Sequence, residues 1–184
     1  MLRTVVLVLG MLAALGTAAL GTAGLATAAA GNLERAQAAY YRGDYAEAMQ
    51  LMMPLAEDGD RHAQFLIGFM HERGQGMPKD YEKAAEWYAR AADQGHPNAQ
   101  NNLGVLYKYG RGVPKDYARA YSWFGLAAEH YLPAEFGHKE RALLNQQDVA
   151  AMMTTEQLVE GREHIEAYQD DAPGIPEYRA PNIR

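Results

Sequence analysis

Six histidines, at positions 62, 71, 96, 130, 138 and 164, are the residues of this sequence best suited to metal or acid–base chemistry. Zinc sites built within one element bring ring nitrogens together through short spacings such as H-E-x-x-H. No two of the six lie closer than eight residues, so no metal-ligand set is predicted. Ser122 is the only serine and lacks a G-x-S-x-G setting, which argues against a serine nucleophile. Cysteine is absent, which removes thiolate catalysis, disulfides and cysteine metal sites together. The loop Gly74-Gln75-Gly76-Met77-Pro78-Lys79 and its copy Gly110-Arg111-Gly112-Val113-Pro114-Lys115 invite a phosphate-cradle reading. Their spacing departs from G-x-x-x-x-G-K-[ST] and no strand precedes them. The carboxylate pairs Glu82/Glu86 and Asp170-Asp171 fall on helix surface and tail. No catalytic residue and no cofactor are expected, and the chain is not expected to be an enzyme.

The elements that must position these side chains are helical. Alanine is abundant, while Val, Ile and Thr are scarce beyond the first thirty residues, a balance that favours helix over sheet. Hydrophobic residues make up 48% and charged residues 22%, which excludes wholesale disorder. The net charge is −6, and Arg3 is the only charge before Glu34, leaving 16 Lys+Arg against 23 Asp+Glu in the body. An acidic body without a basic stripe in the sequence speaks against a nucleic-acid partner, whose binding depends on neutralising phosphates.

The first thirty residues read as an address. A basic tip at Arg3 precedes an apolar run, and small residues stand at Ala26-Thr27-Ala28 and Ala28-Ala29-Ala30, the pattern of a secretory signal peptide. The alternative is a retained anchor, because roughly 20 apolar residues suffice to span a bilayer. Both readings place the body across the membrane from the cytoplasm, with membrane contact only through this segment if it is uncleaved.

Residues 61–95 laid over 97–131 match at 13 of 35 positions without a gap. The identities include Ala63/Ala99, Gln64/Gln100, Gly68/Gly104, Gly74/Gly110, Gly76/Gly112, Asp80/Asp116 and Trp87/Trp123. A period in this range marks stacked supersecondary units. Ala63, Ile67 and Met70 form an apolar stripe at helical spacing over about Arg61–Arg73. Gly74 and Gly110 sit where a helix end takes a left-handed residue. Asp80 and Asp116 are placed to cap a second helix, which carries Ala84, Trp87 and Ala91. Pro97 fits a first helical turn. Small residues such as Gly68 and Ala84 permit close helix approach, and bulky Trp87 and Tyr88 need a neighbouring hairpin to bury them.

The pattern A-x-x-x-[LI]-G, G-x-G-[VM]-P-K-D-Y, A-x-x-W, A-A resembles the Sel-1-like repeat, a cousin of the tetratricopeptide repeat. The resemblance implies an all-α fold, an α-solenoid of stacked antiparallel helix hairpins. Residues 38–48, Ala-Ala-Tyr-Tyr-Arg-Gly-Asp-Tyr-Ala-Glu-Ala, resemble a related helix–turn–helix half. Downstream the pattern fades, with Glu135 for Ala, Glu140 for Gly and Leu143 for Tyr. Residues 134–149 read as a modified helix, and Thr154 with Gln157 as a capping box for another. The expected organisation is a leader at 1–30, an N-terminal hairpin at 31–60, repeats at 61–96 and 97–132, capping helices at 133–169 and an extended tail at 170–184.

In the tetratricopeptide superfamily the first helix of each hairpin lines a concave face. Carried over, this places His62, Phe65, Phe69 and Glu72 of one repeat and Asn98, Asn101, Val105 and Lys108 of the next on a partner-binding groove. The twins of Phe65 and Phe69 are Asn101 and Val105, so the scaffold does not demand rings there. They are either hot spots for a partner or packing residues against the preceding hairpin near Tyr40 and Met49. The resemblance implies an exported adaptor of the bacterial periplasm or envelope that holds a protein or peptide. The alternative from another class, a cell-wall or β-lactam-acting enzyme, belongs to cysteine-rich members of the family, and this chain has no cysteine.

Overall fold

The computed structural model describes residues 31–170; the expected leader and most of the expected tail lie outside them. Every regular element among the described residues is a helix. They are α1 (31–42), α2 (Tyr45–Glu57), α3 (Arg61–Arg73), α4 (Tyr81–Asp93), α5 (Pro97–Tyr109), α6 (Tyr117–His130), α7 (Phe136–Ala150) and α8 (Thr155–Asp170), with a 3₁₀ turn at Pro133–Glu135. The chain divides into two compact units at Leu51 and Met52. In the first unit Arg42 pairs with Asp44 and Glu47, both at 3.0 Å.

In the second unit the fold is an α-solenoid, with α3 paired to α4, α5 to α6, and α4 packed on α5 between the pairs. Sequence dictates each boundary. Asp60 accepts from the His62 and Ala63 amides at 2.9 and 2.8 Å, starting α3. Asp80 and Asp116 accept from the Lys83 and Arg119 amides at 3.0 and 2.9 Å, starting α4 and α6. Each cap satisfies donors that the first helical turn leaves without an intrahelical partner. Gly74 and Gly110 end the first helices at φ 68° and 65°, the left-handed region.

The hairpins close because a ring meets a glycine. A methyl at Gly68 would stand 2.8 Å from the Tyr88 ring, and one at Gly104 2.8 Å from the Phe124 ring. Tyr88 and Phe124 are fully buried. Between hairpins, the buried glutamines repeat one bond: Gln64 donates to the Ala56 carbonyl and Gln100 to the Ala92 carbonyl, each at 3.0 Å. Each ties a first helix to the last turn of the helix before it, sharing a carbonyl that also accepts from the Gly59 or Gly95 amide.

After α6 the stacking changes. Glu140 stands where Gly68 and Gly104 seat their rings, so α7 offers no such seat to a following helix. Both α7 and α8 pack on α6, meeting at Gly125, where a methyl would lie 2.5 Å from Gln146 of α7 and 3.0 Å from Ile165 of α8. Thr154 and Gln157 form the reciprocal cap of α8, with bonds of 3.0 and 3.3 Å. From α8, Tyr168 reaches into the second unit's core and donates to the Ala92 carbonyl at 3.2 Å.

Candidate functional site

Three of the six histidines come together where first helices begin. His62 at the start of α3, His96 before α5 and His130 at the end of α6 line a cleft of about 400 Å³ with Arg61, Asn98, Leu132 and Glu135. His96 is itself the N-cap of α5: its Nδ1 accepts from the Ala99 amide at 3.3 Å. That bond leaves the ring proton on Nε2, which lies 3.2 Å from His62 Nδ1 and donates to it. Burial, reinforced by His62 and Arg61, pushes the His96 pKa down to about 4, so the ring is neutral near pH 7. His130 Nδ1 lies 2.9 Å from Gln100 Oε1. Because the amide nitrogen of Gln100 is already donating, the oxygen accepts, and His130 carries its proton on Nδ1.

Aromatic packing supports this cluster from below. Phe65 stacks on His96 with centroids 4.6 Å apart and on Tyr88 at 5.9 Å, and Phe69 lies 6.1 Å from Phe65. Phe65 and Phe69 are half-buried. The Tyr88 hydroxyl donates to Glu72 at 2.6 Å and accepts from Asn102 at 3.1 Å. Burial followed by the Glu72 charge holds its pKa well above the usual phenol value, so it stays a fixed neutral donor.

The eight residues expected on a groove divide into two groups. His62 and Asn98 line the cleft, Phe65 and Phe69 pack beside it, and Asn98 is oriented by a 2.8 Å bond from the Tyr131 hydroxyl. Glu72 is held by Tyr88 and Val105 is half-buried against the core. Asn101 and Lys108 do not face an open groove. Asn145 of α7 donates to Asn101 at 3.2 Å, and Asp148 of α7 pairs with Lys108. The first-helix register alone could not show that α7 would lie across this part of α5. Lys108 is 8% exposed as a result.

The His96 cap escaped the sequence reading, although a signal was present: position 96 is 36 residues after Asp60, so the two caps are twins. His71 is buried with Nδ1 unpartnered, and its twin Tyr107 takes a 3.3 Å bond from Arg119 that no arginine supplies to His71. Ser122 donates to the Arg119 carbonyl one turn back, at 2.9 Å. Among the described residues no group of three His, Asp or Glu side chains is placed to hold a metal ion.

The period, the caps and the glycine-seated rings together match the Sel1 repeat family model at residues 61–96 and 97–131. Residues 61–131 are two Sel1 repeats. The chain is similar to c5321, described as a protective antigen present in uropathogenic Escherichia coli strains and displaying an SLR fold. Identity is 28% over 77% of this chain and 30% of that one, with a TM-score of 0.68. It is also similar to a Sel1 repeat protein from Oxalobacter formigenes, at 28% identity over 78% of this chain and 63% of the other, with a TM-score of 0.53. The chain therefore spans less than a third of the first relative and under two thirds of the second. No curated protein matches the sequence. Sel1 repeat proteins generally mediate protein–protein interaction on a typically non-catalytic scaffold.

Proposed function

We propose that this chain is an exported adaptor that holds a protein or peptide partner in the bacterial envelope through the start of α3 and α5. The observation that carries this reading is Phe65, a half-exposed ring whose twin is Asn101 and which stacks on His96 beside the cleft. A rigid aromatic anchor beside convergent polar groups is the usual make-up of a binding hot spot. His62, Asn98 and Arg61 provide those polar groups. The apolar leader of residues 1–30 supports export, and the likeness to a protein described as a protective antigen agrees with a place outside the cytoplasm.

The experiment is a crosslinking pull-down from native envelope with the wild-type protein and a Phe65→Ala/Phe69→Ala variant. Loss of the captured partner with helicity retained supports the reading, and capture that survives in a folded variant overturns it. N-terminal sequencing of the exported form decides between cleavage near Ala28 or Ala30 and a retained anchor.

A further inference from the structure

The sequence shows no basic run, yet the fold builds a basic edge. Residues 73–83 and 108–119, the two inter-helix loops with their flanks, hold seven Lys/Arg and three Asp/Glu, a local balance of +4 in a chain of −6. Two of those carboxylates are the caps Asp80 and Asp116, which pair with Lys83 and Arg119 at 3.7 and 3.3 Å. Lys108 pairs with Asp148. Arg73, Lys79, Arg111 and Lys115 form no ion pair among the described residues, and all four are exposed.

Each of these four lies over an aromatic ring. Arg73 sits 5.0 Å from the Phe69 centroid, Lys79 5.5 Å from Tyr81 and Lys115 4.6 Å from Tyr117. Arg111 lies near two rings from successive repeats, 5.7 Å from Tyr81 and 5.0 Å from Tyr109. The loops are pressed together: a methyl at Gly112 would stand 2.2 Å from the Tyr81 carbonyl. Stacking restrains the cations without neutralising them, so less side-chain entropy is lost when they meet an anion.

Resting on the reading of this chain as a protein-binding scaffold, we propose that Lys79, Arg111 and Lys115, with Tyr81 and Tyr109, form a second docking surface for an acidic segment of a partner protein. Three single charges spread over two repeats suit carboxylates spaced along a chain. A phosphate would instead need donors converging on one point. An anionic membrane fits poorly, because Val113 is buried and Met77 half-buried, leaving only the short rings of Pro78 and Pro114 as exposed aliphatic side chains at the loop tips.

The test is fluorescence anisotropy of a labelled oligo-glutamate peptide with the full chain, beside oligo-lysine and vesicles containing anionic lipid. Oligo-glutamate is expected to bind, and binding is expected to fade as salt rises from about 0.01 to about 1 M, where screening shortens from roughly 30 to 3 Å. Lys79→Glu/Arg111→Glu/Lys115→Glu is expected to weaken it by about tenfold or more. The milder Lys79→Gln/Lys115→Gln variant, at exposed sites, keeps the test valid if the triple reversal misfolds, and it too is expected to weaken binding. Equal binding by folded variants, no preference over oligo-lysine, or binding to vesicles alone would overturn the proposal. Phe65→Ala alone, which keeps the Phe69 ring under Arg73, is expected to leave oligo-glutamate binding unchanged, so failure of the cleft reading and failure of this one are separate results.

Discussion

The ring of Phe124 lies flat against Gly104, with three of its carbons within 3.2 Å of where a methyl on that glycine would sit. Phe124 is fully buried, so a retreat of the ring must displace its packed neighbours. Gly104→Ala gains about 1 kcal/mol of helix propensity, but the overpacking it causes costs about 1–3 kcal/mol. Net destabilisation is expected, read as a lower urea midpoint at unchanged slope. Adding Phe124→Leu should recover part of the loss, and strict additivity in the double variant would show that the ring and the glycine do not share one seat.

Gly112 carries two constraints where Gly59 carries one. Both have positive φ, 69° and 99°, and a side chain in that region costs about 1–2 kcal/mol. Nothing lies within 4 Å of a methyl at Gly59, whereas at Gly112 one would meet the Tyr81 backbone at 2.2 Å. Gly59→Ala is therefore expected to lose only the conformational cost, and Gly112→Ala clearly more, since backbone rather than a flexible tip must move. Thermal unfolding compares them, and similar losses would mean that the second loop does not press on α4.

These two glycines show what a repeated sequence discloses and what it hides. Gly76/Gly112 and Gly68/Gly104 were visible as identities because each serves the same local geometry in each copy. The boundaries of α3 and the caps at Asp80, Asp116 and Thr154 were readable for the same reason: they depend on residues three or four positions away. Contacts that break the period were not readable. The pairing of Lys108 with Asp148 depends on where α7 lies, and α7 has already lost the repeat. The basic edge was hidden because its cations alternate with glycine, proline and tyrosine, and only the stacking of loops gathers them.

Tyr168 tests the placement of α8. Its hydroxyl donates to the Ala92 carbonyl at 3.2 Å and accepts from Gln100 at 3.3 Å, and it is 4% exposed. Tyr168→Phe leaves Gln100 short of a partner and should cost about 1–2 kcal/mol. Tyr168→Ala removes the ring from beneath Trp123 and His130 as well, for about 3–5 kcal/mol. Hydrogen exchange should report the loss at the α4 and α5 junction, where Ala92 lies 76 residues away in sequence, as well as in α8. Protection unchanged there would mean that α8 does not clasp the repeats.

His96 and Asp93 carry the largest opposing contributions to the pH dependence of stability, and burial of His71 and His130, which holds both below the ordinary histidine value, adds to the His96 side. Burial depresses the His96 pKa from 6.5 to about 4. The unfolded chain then binds a proton that the folded chain refuses between those values, so stability is full above about pH 6.5 and falls as pH drops toward 4. The span corresponds to about 3 kcal/mol for this buried ring. The physical event is loss of a cap: protonated Nδ1 can no longer accept from the Ala99 amide, and a charge is forced beneath Phe65. Burial of Asp93, whose Oδ1 has no partner, raises its pKa from 3.8 to about 7. A raised carboxyl makes the folded state bind the extra proton, so this group favours folding in acid and withdraws that contribution as pH climbs from about 4 to 7. The wild-type profile should therefore be flatter than either group alone dictates, and substitution separates them. His96→Asn keeps a capping oxygen and removes the titration, so its stability should rise on mild acidification. Asp93→Asn should leave an acid-labile protein whose stability declines steadily below about pH 6.5. Urea midpoints of the two variants across this range check both slopes, and parallel profiles would show that neither group is buried in the protonation state assigned to it.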